Sequence, residues 1–390
     1  KFDFDKVVDR HGTKCLKYDF AKERGRSDDM LPLWVADMDF QTAPGIQKSL
    51  SDAVAHGIYG YSEGKDDYFQ AAAGWYEKHF GWKVEKEWLI KTPGVVFALA
   101  MAVKAYTKEG DAVLLQQPVY YPFSEVITDN HRRLINSPLQ QIDGHYEINF
   151  EEFEQKIVEE NVKLFLMCSP HNPVGRVWKE WELRKIGDIC LKHNVLVVSD
   201  EIHSDFTYGE NIHHVFASLD EKYAAITTTC TAPSKTFNIA GLQISNIWIS
   251  NPELRARFRA EVTAAGYSQV NLMGLVACQA AYETGEEWLK ELKIYLEGNL
   301  DYVRTFLKEN LPEIKLTEPE GTYLLWLDFK SLGMKEEQLK DLVENKAKLW
   351  LDSGAMFGPD GEGFERINIA CPREILKQAL TQLAESVHDR

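Results

Sequence analysis

One lysine is a candidate for chemistry because of the residues that precede it. Lys235 lies in the stretch 224–243, where a β-branched run at 226–229 gives way to Ala-Pro-Ser and then to the lysine. The run predicts a buried strand. A lysine just past such a strand is poorly hydrated, which disfavours its ammonium form, so Lys235 is a candidate amine nucleophile able to form a Schiff base with a carbonyl. The alternative is a surface lysine in a loop, which a bare Ser-Lys pair favours.

Two further apolar runs end in polar side chains. Residues 162–175 read VKLFLMCSPHNPVG and carry Asn172, and residues 194–205 read NVLVVSDEIHSD and carry Asp200. Ligands of open α/β sheets bind at the carboxyl ends of strands. Pyridoxal phosphate (PLP), the common carbonyl partner of a reactive lysine, needs a carboxylate beside its ring nitrogen, and we predict this role for Asp200. The alternatives are a helix cap for Asp200 and a simple turn for Asn172.

Six motifs in a fixed order carry a family resemblance over nearly the whole chain. The sequence resembles the fold-type I PLP-dependent enzymes of the aminotransferase class I/II superfamily, and within it the MalY/PatB-type carbon–sulfur β-lyases (cystathionine β-lyase, cysteine desulfhydrase). The motifs, together with the NPVG segment at Asn172, are LWVADMDF, YGYSEG, PVYYPF, DEIHSD, SKTFNIAGL and ACPR. The resemblance implies an α/β fold with a mostly parallel central sheet in a large domain and a smaller α+β domain.

The same resemblance implies a reaction. Lys235 would hold PLP, be displaced by an amino acid and remove its Cα proton; the Cβ–S bond would then break. The products would be pyruvate, ammonia and a thiol or hydrogen sulfide, from L-cystathionine, L-cysteine or related cysteine S-conjugates. An aminotransferase would share every cofactor residue and stays an alternative. A regulatory, protein-binding role is the alternative from another functional class.

The cofactor phosphate has four predicted partners. A helix start after a glycine offers free backbone N–H groups at Val95 and Val96. The resemblance adds Ser234 and, from the neighbouring subunit of a homodimer, Tyr61. At one position this chain differs from the family pattern, since many aminotransferases carry an arginine where this chain has Gln243. The lost charge-assisted contact must be offset by the other partners.

The resemblance also gives roles to six other residues. Tyr120 is expected to stack on the cofactor ring, and Tyr121 to act in catalysis beside it. Asn172 is expected to bind the phenolic oxygen of the ring, with His203 on the same side of the cofactor. Arg373, in the ACPR motif, is the predicted clamp for the substrate carboxylate, and the backbone at Ala36 is expected to lie near that carboxylate.

Bulk properties exclude several other functions. The chain has 390 residues and a net charge of −16, which argues against nucleic-acid binding because phosphate contact needs a basic surface. Its six cysteines form no C-x-x-C pair, so neither a metal site nor a redox motif is predicted. No stretch approaches the ~20 apolar residues of a membrane span, and the first residues lack the apolar core of a signal peptide. We therefore expect a cytoplasmic protein that acts on a small molecule.

The pattern of predicted strands, helices and turns along the chain indicates three regions. Residues 1–42 form an N-terminal arm contributing to the small domain, residues 43–284 the large PLP-binding domain, and residues 285–390 the small C-terminal domain. Strands alternating with charged helices indicate the parallel sheet of the large domain, with the strands expected at 162–168, 195–198, 224–230 and 245–250. Residues 251–310 lack turn signals and predict a long helix joining the two domains.

Overall fold

A computed structural model describes residues 1–390 of the chain. The strands are β1 (Leu31–Pro32), β2 (Leu89–Thr92), β3 (Ala112–Leu115), β4 (Arg133–Asn136), β5 (Gln140–Ile142), β6 (His145–Glu147), β7 (Val162–Cys168), β8 (Leu196–Asp200), β9 (Thr227–Thr231), β10 (Ser245–Trp248), β11 (Lys315–Thr317), β12 (Leu324–Asp328), β13 (Leu349–Trp350), β14 (Asp352–Ser353) and β15 (Phe364–Asn368). The helices are α1 (Leu16–Asp19), α2 (Pro44–His56), α3 (Asp66–Phe80), α4 (Val95–Tyr106), α5 (Pro122–Thr128), α6 (Phe150–Glu159), α7 (Glu180–Lys192), α8 (Glu221–Ala224), α9 (Pro252–Ala264), α10 (Leu272–Thr284), α11 (Glu286–Asn310), α12 (Glu336–Asp341) and α13 (Arg373–His388).

Seven strands form the central sheet, in the order β2-β10-β9-β8-β7-β3-β4. β10 runs antiparallel to both of its neighbours, whereas β9, β8, β7, β3 and β4 pair in parallel. A parallel sheet needs helical crossovers that cover both of its faces, which explains why all of β3 and the part of β7 from Leu164 to Cys168 are apolar and buried. The α/β prediction with a mostly parallel sheet is confirmed.

Local sequence accounts for small shifts at the strand ends. The predicted strand at 162–168 is β7, but the strand expected from 224 begins only at Thr227. The preceding residues form the short helix α8, whose first turn is capped when the side chain of Asp220 accepts a hydrogen bond from the Lys222 N–H. The strand expected over 245–250 ends at Trp248.

The helical region after residue 251 is divided in three. Asn251 caps α9 by accepting hydrogen bonds from two backbone N–H groups, and Gly285 separates α10 from α11. Gly285 is packed so tightly against the ring of Phe237 that a Cβ atom would lie 2.4 Å from it. Only α11, with 25 residues, is the predicted long helix, and its buried side chains recur every three or four residues along one face.

A second, antiparallel sheet lies in the last third of the chain, in the order β11-β12-β15-β14. The N-terminal arm reaches it, because β1 pairs in parallel with β13. One large apolar core includes residues of the arm, of α10 and α11 and of the second sheet, among them Leu33, Leu292 and Leu324. The domain boundaries stay a prediction. No helix combines the length and apolar character that a membrane crossing needs.

Candidate active site

Three neighbouring strands of the central sheet bring their carboxyl ends together. β7, β8 and β9 are adjacent, and the N–H of Ser169 donates to the carbonyl of Asp200 at 2.9 Å just past the end of β7. Asn172 follows β7, Asp200 ends β8, and Lys235 follows β9. The parallel topology thus places the three side chains predicted from sequence at one edge of the sheet.

A cavity of about 390 Å³ opens at this edge. Nine of the predicted site residues line it, namely Ala36, Val95, Val96, Tyr120, Asn172, Asp200, His203, Ser234 and Lys235. Tyr61, Tyr121 and Arg373 do not. The lining also includes residues without a predicted role, such as Cys168, Ile202 and Phe97.

Lys235 is held by the N-terminal arm. Its Nζ donates a hydrogen bond of 2.9 Å to the carbonyl of Ala36, 199 residues earlier in the chain. Burial lowers the pKa of Lys235 to about 8, although the neighbouring carboxylate of Asp37 acts in the opposite direction. A substantial share of this amine is therefore neutral near physiological pH, as a nucleophile or a base requires.

Asp200 is a buried carboxylate with few hydrogen-bond partners. The backbone N–H of Ile202 donates to one of its oxygens at 3.2 Å. Burial raises the pKa of Asp200 to about 7, and the nearby Glu201 adds to this effect. A buried carboxylate with so few partners would be stabilised by a cation placed beside it, such as a protonated ring nitrogen.

The amide of Asn172 has a defined orientation. Nη1 of Arg366 donates to Oδ1 of Asn172 at 3.1 Å, and since a guanidinium only donates, the amide oxygen must face it. The NH₂ group of Asn172 is left free to donate to an acceptor. An anionic oxygen on a bound ring is such an acceptor.

His203 is buried and neutral. Burial, with the charges of Lys235 and Arg366, lowers its pKa to about 3. Its Nδ1 has no hydrogen-bond partner, and its ring meets the ring of Tyr323 edge to face at 6.2 Å. The imidazole therefore has unused hydrogen-bonding capacity at the cavity.

One end of the cavity suits an anion. α4 begins at Val95 without a side-chain cap, so the N–H groups of its first turn are free. They lie at the positive end of the helix dipole, where an anion is stabilised. Ser234 adds a hydroxyl. Gln243, in a left-handed conformation with φ 48°, also lines the cavity, so the position that departs from the family pattern does lie at the site.

The two tyrosines after β3 lie differently. Tyr120 lines the cavity, and burial raises its pKa well above the ordinary range. Tyr121 lies beside it, with ring centroids 5.4 Å apart, and packs against Phe357 instead of lining the cavity. Burial, together with the charge of Asp352, raises the pKa of Tyr121 to about 12, so it is a neutral phenol.

The structure does not bring Arg373 to the cavity. Its Nε donates to Oδ1 of Asn299 at 3.0 Å, and its guanidinium lies over the ring of Tyr295 at 4.7 Å, so its hydrogen bonds are made with α11. This placement does not support the carboxylate clamp predicted at Arg373. Motif order suggested Arg373, but α13 starts at this residue and carries it away from the cavity.

Arg366 is the functional candidate that sequence reasoning missed. It is 1% exposed, and its Nη2 donates to Asp352 at 2.8 Å and to the carbonyl of Trp34 at 2.7 Å. Its Nε has no partner at all. Arg366 does not itself line the cavity, but it is bonded to Asn172, which does. A buried guanidinium with a free N–H at this place is suited to bind a carboxylate. The available signal was two adjacent charged residues, Glu365 and Arg366, in the otherwise strand-like ERINIA segment.

Tyr61 projects into solvent from the loop between α2 and α3. Its side chain is 98% exposed, and Ile58 and Tyr59 on the same loop are also exposed. Nothing within its own chain holds the Tyr61 hydroxyl. The predicted role across a dimer stays a prediction.

The residues at the cavity fit PLP. The free N–H groups of α4 and the Ser234 hydroxyl suit its phosphate. The buried carboxylate of Asp200, which has few partners of its own, suits its protonated ring nitrogen. The free amide protons of Asn172 suit its phenolic oxygen, and the partly neutral amine of Lys235 suits its aldehyde. Each match rests on hydrogen-bonding or charge capacity that the protein itself leaves unused.

Comparisons with known proteins place this site in a family. The model of the aminotransferase class I and II family matches residues 29–383. The chain is 43% identical to cystathionine beta-lyase PatB of Bacillus subtilis over 97% of this chain and 98% of that protein. It is 34% identical to protein MalY of Escherichia coli over 99% of both chains. Its fold matches cystalysin from Treponema denticola, whose crystal structure contains a pyridoxal 5′-phosphate cofactor, with a TM-score of 0.96 and 39% identity over 100% of this chain and 99% of that one.

Proposed function

The chain belongs to the aminotransferase class I and II family, and we propose that within it this protein is a PLP-dependent carbon–sulfur β-lyase. Its substrates are L-cystathionine, L-cysteine or related cysteine S-conjugates, and its products are pyruvate, ammonia and a thiol or hydrogen sulfide. The observation that carries the chemistry is the buried group formed by Lys235, Asp200 and Asn172 at adjacent strand ends. The likeness to cystathionine beta-lyases favours the sulfur substrates.

When bound, PLP supplies an electron sink for the charge that develops at Cα of the amino acid. Asp200 keeps the ring nitrogen protonated, and Asn172 donates its amide to the phenolic oxygen. Tyr120 provides a flat face for the ring, and His203 lies on the side of the phenolic oxygen. Val95, Val96 and Ser234 hold the phosphate, with Tyr61 of a second subunit as a further partner.

Lys235 has two tasks. As an amine it binds the aldehyde, and once an amino acid has displaced it, it removes the proton from Cα. The pKa of about 8 leaves the amine partly neutral, so it can accept this proton. The carbonyl of Ala36 accepts a hydrogen bond from Nζ and fixes where the amine lies.

Arg366, rather than Arg373, holds the α-carboxylate of the substrate. Its Nε is unpartnered and its Nη1 is bound to Asn172, so the guanidinium is fixed and still has a donor free. A fixed carboxylate aligns the bonds at Cα relative to the amine of Lys235. Tyr121, a neutral phenol whose ring centroid lies 5.4 Å from that of Tyr120, is proposed as a further catalytic residue.

Product analysis tests the proposal. Purified holoenzyme supplied with S-ethyl-L-cysteine should release pyruvate, ammonia and ethanethiol in equal amounts. An enzyme that only transfers the amino group would keep the C–S bond and yield the 2-oxo acid of the intact thioether. Formation of that oxo acid without thiol would reject the lyase and favour an aminotransferase.

A further inference from the structure

A second cavity adjoins the cofactor cavity and is lined mostly by the N-terminal arm. This distal chamber has a volume of about 530 Å³ and shares Ala36, Lys235 and Ala240 with the first cavity. Apolar walls come from Val8 and Phe40. Lys235, which carries the amine proposed to remove the Cα proton, therefore lines both cavities.

Two opposite charges face the distal chamber. Arg10 and Asp37 both line it, and their side chains are 19% and 23% exposed. They form a two-pronged ion pair, with Nη1 of Arg10 donating to Oδ1 of Asp37 at 2.8 Å and Nη2 donating to Oδ2 at 3.0 Å. A fixed cation and a fixed anion thus stand side by side at the chamber surface.

A buried ionic cluster keeps this pair in place. Nη1 of Arg10 also donates to Oδ1 of Asp39 at 3.0 Å, and the fully buried Nζ of Lys17 lies 3.2 Å from the other oxygen of Asp39. The hydroxyl of Tyr18 donates to that same oxygen at 3.0 Å. The partners of Arg10 are therefore themselves held, so the guanidinium is preorganised.

Both members of the pair keep unused hydrogen-bonding capacity. The Nε–H of Arg10 and one N–H of its Nη2 make no hydrogen bond, since every bond of Arg10 runs from Nη1 or from the other proton of Nη2. Each oxygen of Asp37 accepts from Arg10 and has a further lone pair. The pair can therefore bind a carboxylate and an ammonium group at the same time.

The geometry of the reaction directs a substituent into the chamber. Lys235 must lie at Cα, and Arg366 holds the α-carboxylate, so the Cβ–S substituent has to leave the cofactor cavity elsewhere. The chamber is open space that adjoins Lys235 itself. Its walls of Val8 and Phe40 suit methylene groups, and its charged pair lies beyond them.

We propose that the distal chamber binds the leaving half of a thioether that joins two amino acids, with Arg10 receiving the second carboxylate and Asp37 the second ammonium group. This inference rests on the proposed lyase function and narrows its substrate class. A cysteine S-conjugate with a second zwitterionic end would be preferred over one with a plain alkyl end.

Calorimetric binding to the holoenzyme tests the proposal without any turnover. The probes are L,L-2,7-diaminosuberate, in which a methylene replaces the sulfur of a thioether between two amino acids, and L-norleucine, which lacks the second zwitterionic end. The wild-type holoenzyme should bind the first at least about tenfold more tightly, which corresponds to ~1.4 kcal/mol. In Arg10→Gln the two affinities should differ by less than about threefold. Arg24→Gln is the matched control, because Arg24 lies on the same arm, is exposed and does not line the chamber.

Equal binding of the two probes by the wild type would overturn the proposal, and so would a preference that survives in Arg10→Gln. If circular dichroism shows that Arg10→Gln does not fold, Asp37→Asn takes its place, since Arg10 then keeps Asp39 as a partner; an unchanged preference in this variant overturns the proposal equally. Pyruvate release from S-ethyl-L-cysteine is measured alongside. Its absence rejects the lyase function, whereas its presence without a probe preference rejects only the distal chamber.

Discussion

Arg366 and Asn172 lie 194 residues apart in the sequence, yet Nη1 of the arginine donates to Oδ1 of the asparagine at 3.1 Å. The contact joins β15 of the second sheet to the loop after β7 of the central sheet. In our account it fixes the amide so that the amide protons face the cofactor, and it fixes the guanidinium so that the free Nε faces the substrate. One hydrogen bond thus links the binding of cofactor and substrate.

Arg366→Lys should lose substrate binding. Lysine keeps the charge beside Asp352, whereas Ala would leave a buried unpaired carboxylate at a penalty of about 3–5 kcal/mol. Because lysine lacks the planar fork, we expect kcat/KM for S-ethyl-L-cysteine to fall about 100-fold, or ~2.7 kcal/mol, mainly through KM. Steady-state kinetics of Arg373→Lys are the matched control and should stay within about threefold of wild type. The opposite ranking of the two variants would return the clamp to Arg373.

The lowered pKa of Lys235 predicts how the apoprotein recombines with PLP. Only the neutral amine attacks an aldehyde, so the second-order rate constant should rise with pH through a midpoint of about 8. For an ordinary lysine of pKa 10.4, about 0.4% of the amine is neutral at pH 8. Stopped-flow absorbance of the recombination checks this, and a midpoint near 10 would show that Lys235 is well hydrated.

Asp200→Asn should lower kcat more than it lowers the affinity for PLP, because the phosphate contacts that help to bind PLP are unchanged. Asparagine has nearly the same shape but no charge to keep the ring nitrogen protonated, so kcat should fall at least tenfold, or about 1.4 kcal/mol. Asp52→Asn, a change at an exposed carboxylate on α2, controls for a general loss of negative charge. If kcat of Asp200→Asn changes by less than about threefold, Asp200 is a structural residue at the end of β8.

Two defective variants should restore each other if Tyr61 acts across a dimer. Tyr61→Phe should lower PLP affinity, and Lys235→Ala should be inactive. After subunit exchange, a mixed dimer contains one site with both residues intact, so its activity should exceed that of both parents. Tyr59→Phe is the matched control, because the Tyr59 hydroxyl donates to Val54 in its own chain. An impaired Tyr61→Phe that gains nothing despite proven exchange would place Tyr61 in its own active site.

Sequence reasoning found the residues at strand ends because their positions follow from local patterns. Buried runs predict the strands, and parallel topology predicts that Asn172, Asp200 and Lys235 converge, as the structure shows. The strand that began late, at Thr227, did so because a capped turn of helix competed with β-propensity.

Contacts between distant segments could not be predicted in this way. Arg366 lies within a strand whose partners, including Trp34 and Asn172, come from remote parts of the chain. The ion pair of Arg10 and Asp37 depends likewise on how the arm folds back on itself. Charge and spacing in the sequence identify neither, because a buried guanidinium and an exposed one have the same local pattern.

Counting turnovers without an amino-group acceptor tests the lyase account most directly. The holoenzyme is mixed with excess L-cystathionine in the absence of any added 2-oxo acid, and pyruvate is measured against the number of active sites. The account predicts continuous release, many pyruvate molecules per site, because elimination returns the cofactor unchanged. A reaction that stops after one equivalent of 2-oxo acid per site, and resumes only when a second oxo acid is added, would contradict it.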